Sequence, residues 1–130
     1  MLVKMLKSKI HRATVTDKNV GYSGSIGIDE ALLQKAGLRE FEEVLVANLN
    51  SGARFETYVQ HTPRGSGRVV LNGAAARLAE VGDLLIIMGF AYADPAEARR
   101  LKPKVVLVDP ANRFTGYLGR TRTPKRAAKR

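Results

Sequence analysis

The sequence contains no cysteine, and only two of its 130 residues are histidines, His11 and His61. Without cysteine the chain can form no disulfide framework and offers no thiolate nucleophile, and zinc or iron–sulfur sites that need cysteine ligands are excluded. Two histidines are also a small supply of ligands for a metal cluster. We therefore expect neither a metal cofactor nor a cysteine nucleophile.

No apolar run in the chain is long enough to cross a membrane as a helix. The longest, Leu84–Ala93, has ten residues, about half of the roughly 20 that a spanning helix needs. Lys4, Lys7 and Lys9 interrupt the apolar start of the chain, so a signal peptide is not expected. These features predict a soluble, cytoplasmic protein with no membrane partner.

The length and composition are those of one globular domain. Hydrophobic residues make up 45% of the chain and charged residues 26%, close to the average of folded proteins and far from that of disordered ones. A chain of this size buries roughly two-thirds of its unfolded surface when it folds. It can therefore build a core without disulfides, and we find no internal repeat.

The positive charge is concentrated at the carboxyl end. The chain has 22 basic and 12 acidic residues, a formal charge of +10, and residues 113–130 hold seven of the basic residues and no acidic one. We predict a folded domain over residues 1–112 and a basic, disordered tail over residues 113–130. The tail can be a solubilising extension, a weak tether to RNA or an anionic surface, or an artefact, and the sequence leaves these readings open.

Alternation of apolar and polar residues predicts several short strands, over residues 9–16, 22–28, 43–48, 54–61, 68–71, 84–90 and 104–109. Short helices are expected over residues 30–36, between Asp29 as the cap and Gly37 as the stop, and over residues 73–79. Asp94 and Glu97 have the spacing of a capping box, with a proline at the first helical position. This pattern predicts a mostly β protein built as a small closed barrel.

Five short segments carry the residues of chemical interest: 9–13 (KIHRA), 22–29 (YSGSIGID), 54–58 (RFETY), 64–67 (RGSG) and 72–76 (NGAAA). Their residues, order and spacing closely resemble those of the pyruvoyl-dependent aspartate 1-decarboxylase family, from residue 1 to about residue 109. The resemblance implies a double-psi β-barrel that assembles into a homotetramer with sites between subunits. It also implies that L-aspartate is decarboxylated to β-alanine and CO2 for pantothenate and coenzyme A biosynthesis.

The resemblance gives a particular meaning to the bond between Gly24 and Ser25. In the family the serine hydroxyl attacks the preceding carbonyl and the chain cleaves itself, here into residues 1–24 and a chain from residue 25. The new end carries a pyruvoyl group, a covalent cofactor that replaces pyridoxal phosphate and condenses with the substrate's amine. Whether cleavage needs a helper protein stays open. Without the resemblance, this dipeptide is a flexible kink in a strand.

Tyr58 is implied as the proton donor to the carbon that loses CO2. A phenol is protonated at neutral pH and can donate to a strong base. Thr57 is implied as a substrate-binding residue, and Thr57 or Asn72 can donate a hydrogen bond to the oxyanion of the cleavage step. On residue type alone, Tyr58 can simply pack on the barrel with its hydroxyl at the rim, and Thr57 can be an ordinary strand residue.

Aspartate has two carboxylates, so its site needs cations and other anion-binding groups. Lys9 and Arg54 are the candidate cations, since a guanidinium can hold a carboxylate through two parallel hydrogen bonds. The backbone N–H groups of Gly73, Ala74 and Ala75 lie at a predicted helix start, where free N–H groups favour anions. Alternatively, Lys9 is a solvated charge and Arg54 forms an ion pair with Glu43 or Glu56.

Three further residues are implied in supporting roles. Asn72, His11 and Tyr22 flank the cleavage region or the pocket in the family. Read alone, Asn72 is a helix cap and His11 is a satisfied histidine of the core.

A non-catalytic basic β-barrel that binds RNA through the tail is the competing interpretation. The sequence has four tyrosines, four phenylalanines and no tryptophan, and none of them are grouped as a platform on which bases could stack. A nucleic-acid partner is therefore not expected.

Overall fold

The structure, a computed structural model, describes residues 1–119. Nine strands make up most of it: β1 (Val3–Thr14), β2 (Asp17–Asn19), β3 (Ser25–Asp29), β4 (Glu43–Asn48), β5 (Arg54–Thr62), β6 (Val69–Asn72), β7 (Leu84–Ala93), β8 (Lys104–Val108) and β9 (Phe114–Tyr117).

Three short helices connect the strands: α1 (Glu30–Ala36), a 3₁₀ helix (Gly73–Leu78) and α2 (Pro95–Arg100). The Asp29 carboxylate accepts a hydrogen bond from the Ala31 N–H at the start of α1, and Gly37 ends that helix with a φ of 72°, in the left-handed region that glycine adopts without a steric penalty. At α2, Asp94 and Glu97 form the predicted capping box. The local signals in the sequence therefore predicted these helix boundaries correctly.

The strands form one sheet in the order β2-β6-β3-β5-β4-β7-β1-β8-β9. β2 follows β1 after two residues, yet the two strands lie far apart in this order. Val15 and Thr16, between them, donate backbone hydrogen bonds to Asp83 and Val69 respectively. Because one continuous stretch of chain takes part in both halves of the sheet, the sheet curls round on itself. The predicted small closed β-barrel is confirmed.

The barrel interior is filled by aliphatic side chains from most of the strands. The largest that are fully buried are Ile10, Val15, Ile26, Ile28, Leu32, Val44, Val46, Val59, Val69, Leu71, Leu85 and Ile87. β3 is unusual because all five of its residues are buried. It pairs in parallel with β5 and antiparallel with β6, so both of its backbone edges are hydrogen-bonded.

The structure moves the start of two predicted strands and adds β2. β1 begins at Val3 rather than at residue 9, because its first half pairs with the end of β7, Val3 opposite Ala93. β2 was not predicted, and it exists through three parallel pairs with β6. β3 begins at Ser25 rather than at residue 22, so the residues before Ser25 belong to an exposed segment.

The predicted tail does not begin at residue 113. Residues 114–117 form β9, which pairs antiparallel with β8, and the Tyr117 hydroxyl donates a hydrogen bond to the Lys35 carbonyl at 2.8 Å. Asn112, placed at the predicted boundary, is buried. The ordered barrel therefore includes β9, and the remainder of the predicted tail, residues 120–130, lies outside the described residues.

Within residues 1–119 no helix combines the length and the apolar character that crossing a bilayer would require.

Candidate active site

Ser25 lies at the boundary between an exposed segment and a fully buried strand. Residues 20–24 are exposed, whereas Ser25, the first residue of β3, is 0% exposed. The bond between Gly24 and Ser25 therefore joins a solvent-facing residue to one that is packed on all sides. A backbone bond in this position is reachable from outside while the serine side chain is shielded from water.

Two amide side chains hold the Ser25 hydroxyl. Asn72 Nδ2 donates a hydrogen bond to Ser25 Oγ at 3.0 Å, and Ser25 Oγ donates one to Gln60 Oε1, also at 3.0 Å. Ser25 and Asn72 are paired across β3 and β6, so the sheet register brings them together. A hydroxyl has one hydrogen and two lone pairs. These two contacts use the hydrogen and one lone pair and leave the other lone pair free.

Asn72 precedes the 3₁₀ helix, but its side chain makes no capping hydrogen bond. It is 6% exposed and its amide is committed to Ser25 instead. The interpretation of Asn72 as a simple cap is therefore wrong. Its side chain instead donates a hydrogen bond to the Ser25 oxygen, which restrains the position of that hydroxyl.

Gly73 packs directly against Gly24. A Cβ atom on Gly73 would lie 2.7 Å from Gly24 Cα and 3.1 Å from the carbonyl oxygen of Tyr22, and Gly73 has a φ of +67°. Both the close approach and the left-handed backbone require glycine here. A Cβ on Gly24, by contrast, would meet nothing within 4 Å. The bond before Ser25 is thus backed by Gly73 on one side and has open space on the other.

A cleft of about 460 Å³ opens beside this cluster. Both partners of the Ser25 hydroxyl, Asn72 and Gln60, line it, and so does the exposed Tyr22. The cations at its wall are engaged: Lys18 bonds to the Ala79 carbonyl and to Glu80, and Arg68 pairs with Asp17 at 3.2 Å. Tyr22, predicted to support the cleavage region, is therefore placed at the cleft next to it.

Tyr58 and Thr57 are half-buried residues of β5. Ile26 pairs with Val59 across β3 and β5, so Tyr58 is at the level of Ser25 on the neighbouring strand. The Tyr58 ring lies 6.2 Å from the ring of Phe41. Neither the Tyr58 nor the Thr57 hydroxyl makes a hydrogen bond within residues 1–119. Because successive residues of a strand project from opposite faces, these two side chains lie on different faces of β5.

Lys9 and Arg54 make no hydrogen bond with Ser25 within residues 1–119. Lys9 is on β1, which is four places from β3 in the strand order. Arg54 starts β5, about 13 Å along the strand from Tyr58. Arg54 is exposed, and within residues 1–119 it forms no ion pair, so the predicted alternatives with Glu43 and Glu56 are not observed.

His11 is half-buried on β1 rather than enclosed in the core, and its side chain makes no hydrogen bond within the described part of the chain. Burial, followed by the positive charges of Lys9 and Arg12, lowers the pKa of His11 below its usual 6.5. The neutral imidazole is therefore the favoured form near neutral pH. Neither the satisfied core histidine nor a contact with Ser25 is observed.

The other end of β3 holds a second polar cluster, built on Asp29, which is 2% exposed. Its carboxylate accepts backbone hydrogen bonds from Ala31 at 2.8 Å, Gly65 at 2.9 Å and Gly67 at 2.8 Å. Burial alone would raise the pKa of Asp29, but these three N–H groups and the charge of Arg64 outweigh it and hold the pKa below its ordinary value. The 64–67 motif therefore anchors a loop to β3.

Two residues of these clusters were not predicted from the sequence. Gln60 is two places after Tyr58, on the same face of β5, which was the available signal. Asn112 donates from Nδ2 to the carbonyl oxygens of Thr14 and Gly67 and accepts from the Thr14 N–H. Nothing local marks Asn112, because its partners are distant in the sequence. Within residues 1–119 no three His, Asp or Glu side chains converge to form a possible metal site.

The chain is similar to known proteins over nearly all of the described residues. The family model described as aspartate decarboxylase matches residues 1–115. The aspartate 1-decarboxylase of Lactiplantibacillus plantarum is 57% identical over 115 residues, which are 88% of either chain. That of Pelotomaculum thermopropionicum is 58% identical over 114 residues, 88% of this chain and 86% of the relative.

Among solved structures, a rationally designed protein matches with a TM-score of 0.44 and 18% identity, over 61% of this chain and 91% of that one, a similarity too low to carry an argument. The range matched by the family model, residues 1–115, spans all five motif segments. The chain belongs to the aspartate decarboxylase family, which confirms the predicted family, its double-psi barrel fold and its enzyme class, a carboxy-lyase.

Proposed function

We propose that the chain cleaves its own backbone between Gly24 and Ser25, and that the pyruvoyl group formed from Ser25 serves to decarboxylate L-aspartate to β-alanine and CO2 in the cytoplasm. The observation that carries this proposal is the buried Ser25 hydroxyl, held by Asn72 and Gln60 with one lone pair free. Family membership supports the substrate and the reaction class.

The surroundings of Ser25 fit a group made from the backbone. Cleavage turns the planar Gly24 carbonyl into a tetrahedral centre, which needs room on one side and support on the other. The open space at Gly24 provides the room, and the close packing of Gly73 provides the support. A nucleophile held beside its target in this way gains an effective molarity of about 10⁵ M or more.

Cleavage balances with water as the only co-reactant. Ser25 Oγ attacks the carbonyl carbon of Gly24, the bond to the Ser25 nitrogen breaks, and the hydroxyl proton passes to that nitrogen, which leaves an ester. Loss of the Ser25 α-hydrogen with the Cβ–O bond releases the Gly24 carboxylate and leaves dehydroalanine. Water then adds to the α-carbon of the tautomer of this residue and ammonia departs, which leaves a keto-acyl group at residue 25.

When formed, the pyruvoyl group supplies the electron-accepting carbonyl that a carbanion at an amino acid's α-carbon needs and that no ordinary side chain offers. We assign Tyr58 as the proton donor to that carbon. Its position at the level of Ser25 supports this role, and its hydroxyl has no hydrogen-bond partner within residues 1–119 that would hold the proton elsewhere. Thr57, which directly precedes Tyr58 on β5, is assigned to substrate binding.

The substrate's carboxylates are assigned to Lys9, to Arg54 and to the backbone N–H groups of Gly73, Ala74 and Ala75. Gly73, the first of these three residues, packs against Gly24 of the same chain. Within residues 1–119 neither Lys9 nor Arg54 makes a hydrogen bond with Ser25, and the cations that line the cleft, Lys18 and Arg68, are already paired with acids. We therefore propose that a second copy supplies cations to each site, within a homotetramer whose sites lie between subunits.

Intact mass spectrometry of the purified chain tests the proposal. We expect two fragments, residues 1–24 and residues 25–130 with a pyruvoyl cap, together with β-alanine formation from L-aspartate. Ser25→Ala should remain one folded, inactive chain. Ser23→Ala is the matched control, since Ser23 is exposed and should be cleaved like the parent. A parent chain that stays intact after prolonged warming and makes no β-alanine would refute the proposal.

Tyr58→Phe separates the two stages. Because it removes only a hydroxyl that the cleavage step does not use, we expect complete cleavage and a fall in kcat of roughly 10²-fold or more, the usual range for a lost general acid. Mass spectrometry reports the cleavage and β-alanine formation reports the turnover. Failure of Tyr58→Phe to cleave would show that Tyr58 acts in maturation instead.

A further inference from the structure

We propose that Gln60 is the positioning residue for the self-cleavage step, by accepting a hydrogen bond from the Ser25 hydroxyl and so aiming the free lone pair of Oγ at Gly24. This inference rests on the proposed cleavage between Gly24 and Ser25. Gln60 is half-buried on β5, directly opposite Gly27 on β3, and its Oε1 lies 3.0 Å from Ser25 Oγ.

The two amides at Ser25 have different functions. Asn72 reaches the serine through Nδ2, which can only donate, so it occupies a lone pair and leaves the hydroxyl hydrogen undirected. Gln60 reaches it through a carbonyl oxygen, which can only accept, so it determines where the hydrogen points. Within residues 1–119 no other atom accepts a hydrogen bond from Ser25 Oγ. Fixing the rotation of the hydroxyl therefore depends on Gln60.

A fixed hydroxyl matters because the attacking orbital must face the Gly24 carbonyl. With the hydrogen on Gln60 and one lone pair on Asn72, a single lone pair remains for attack. If the acceptor is lost, the buried hydrogen can rotate into the direction from which attack must occur. Misdirection of a reacting group on this scale typically costs about tenfold to a hundredfold in rate.

The role of Gln60 ends when Ser25 has reacted, because the product at residue 25 no longer has a hydroxyl. We therefore expect Gln60 to affect the rate of chain cleavage much more than turnover by the cleaved enzyme. A residue needed only for folding would lower stability and both rates together. This difference separates a positioning role from a structural one.

The test follows cleavage of the full-length chain made by pulse-labelled cell-free translation and quantified by intact mass. Gln60→Met keeps the length of the side chain and removes the acceptor, and we expect cleavage to slow by at least about tenfold. Gln34→Met is the matched control, because Gln34 is the chain's other glutamine and is exposed. It should cleave within about twofold of the parent, and thermal unfolding of both uncleaved chains should be recorded.

Gln60→Glu gives a second readout that does not depend on how well methionine packs. The ionised carboxylate accepts a hydrogen bond from the serine hydroxyl at least as well as the amide does, whereas the protonated carboxyl accepts more weakly and can instead donate its own hydrogen to Oγ. Cleavage of this variant should therefore speed up as pH rises through the titration of the carboxyl. Asp17, Lys18, Tyr22, His61 and Arg68 line the same cleft, so the profile is compared with that of the parent under identical conditions.

The inference is overturned if Gln60→Met cleaves as fast as the parent, or if Gln60→Glu has the parent's pH profile. A parent chain that stays intact overturns the proposed function and this inference with it. If the parent chain cleaves and Gln60→Met cleaves equally fast, this inference is overturned but the proposed function is not.

Discussion

The two ends of β3, a strand of five buried residues, carry two polar clusters with opposite properties. At one end each polar atom of the Asp29 carboxylate and of the Asn112 amide is hydrogen-bonded to the backbone, with no side-chain partner in the described part of the chain. At the other end the Ser25 hydroxyl has one donor contact and one acceptor contact, both with side chains, and keeps a lone pair.

This difference teaches how to tell a structural polar cluster from a reactive one. Buried polar groups are almost always satisfied, because an unsatisfied one costs free energy. A cluster that is saturated with backbone partners fixes loops and strand ends. A cluster that orients a nucleophile and leaves it one free lone pair, next to a backbone bond with open space, is arranged for reaction.

The largest expected effect is at the reactive end. Asn72→Ala removes the donor that fixes Ser25 Oγ, and we expect chain cleavage to slow by about a hundredfold, because the nucleophile loses its alignment. Stability should fall by about 1 kcal/mol, the net value of a typical hydrogen bond. Intact mass against time measures the first effect and urea denaturation the second. If a folded Asn72→Ala chain cleaves at the rate of the parent, the distinction between the two clusters is wrong.

Asn112→Ala is the counterpart at the structural end. Asn112 is 1% exposed and its loss breaks three hydrogen bonds and strands backbone groups of Thr14 and Gly67. We expect a loss of about 3 kcal/mol in the free energy of unfolding, measured by urea denaturation in a Ser25→Ala background so that cleavage does not interfere. Cleavage of Asn112→Ala with Ser25 intact should proceed at the parental rate below its unfolding temperature; slow cleavage there would contradict the comparison.

Asp29→Asn tests the same end with an isosteric change. One of the two acceptor oxygens becomes an N–H₂ donor that faces a backbone N–H, so at least one of the contacts from Ala31, Gly65 and Gly67 is lost. We expect about 2 kcal/mol of destabilisation at pH 7. Asp17→Asn, a change at an exposed ion pair, is the control and should cost about 0.5 kcal/mol. Equal losses in both variants would refute the anchoring role.

Two glycines with positive φ provide a smaller and sharper contrast. An alanine at Gly65 (φ +82°) would meet nothing within 4 Å, whereas one at Gly73 would collide with Gly24. Gly65→Ala should cost only the left-handed backbone penalty of about 1 kcal/mol. Gly73→Ala should cost more and should also slow cleavage, since the clash displaces Gly24. Unfolding midpoints and intact mass report the two effects, and identical behaviour would show that the close packing at Gly24 is unimportant.

The smallest expected effect is a pH dependence of stability. The folded-state pKa of Asp29 lies below the ordinary value of 3.8, so its ionised form stabilises the fold above about pH 4 and this stabilisation is lost as pH falls through the folded-state pKa. The stability difference between the parent and Asp29→Asn should therefore narrow from pH 5 towards pH 3. Taking the difference between the two proteins removes the contributions of the other carboxyls to the pH dependence of stability. One of these is Asp83, whose pKa is lowered by its hydrogen bond from Asn48. A constant difference would contradict this linkage.

Local signals in the sequence predicted the elements whose causes are local. Asp29 and Gly37 bounded α1, and Asp94 with Glu97 marked α2, because caps act within one turn. The first half of β1 and all of β9 were missed, since their pairing with β7 and β8 joins residues far apart in the chain. Polar alternation alone does not reveal such partners.

For the candidate site, too, the sequence predicted some residues and missed contacts that depend on distant parts of the chain. The motif segments pointed to Ser25 and Asn72, whose contact with each other the structure supplies. Gln60 was missed, and Lys9 and Arg54, expected at the substrate site, make no hydrogen bond with Ser25 within residues 1–119. Motif order along the sequence identifies residues that a family shares, but it does not say which of them meet in a single barrel.

The order of residues determined the helix caps, because these depend on residue types within a few positions of one another. It also determined the family, through five segments in order along the chain, and with it the dipeptide Gly24-Ser25 as the proposed cleavage site. The folded barrel determined which groups surround that dipeptide: β6 brings Asn72, β5 brings Gln60, and Gly73 packs onto Gly24. These contacts join residues 35 to 49 positions apart, and no local preference fixes them. They arise when a continuous sheet curls and closes, and its register then decides which side chains meet.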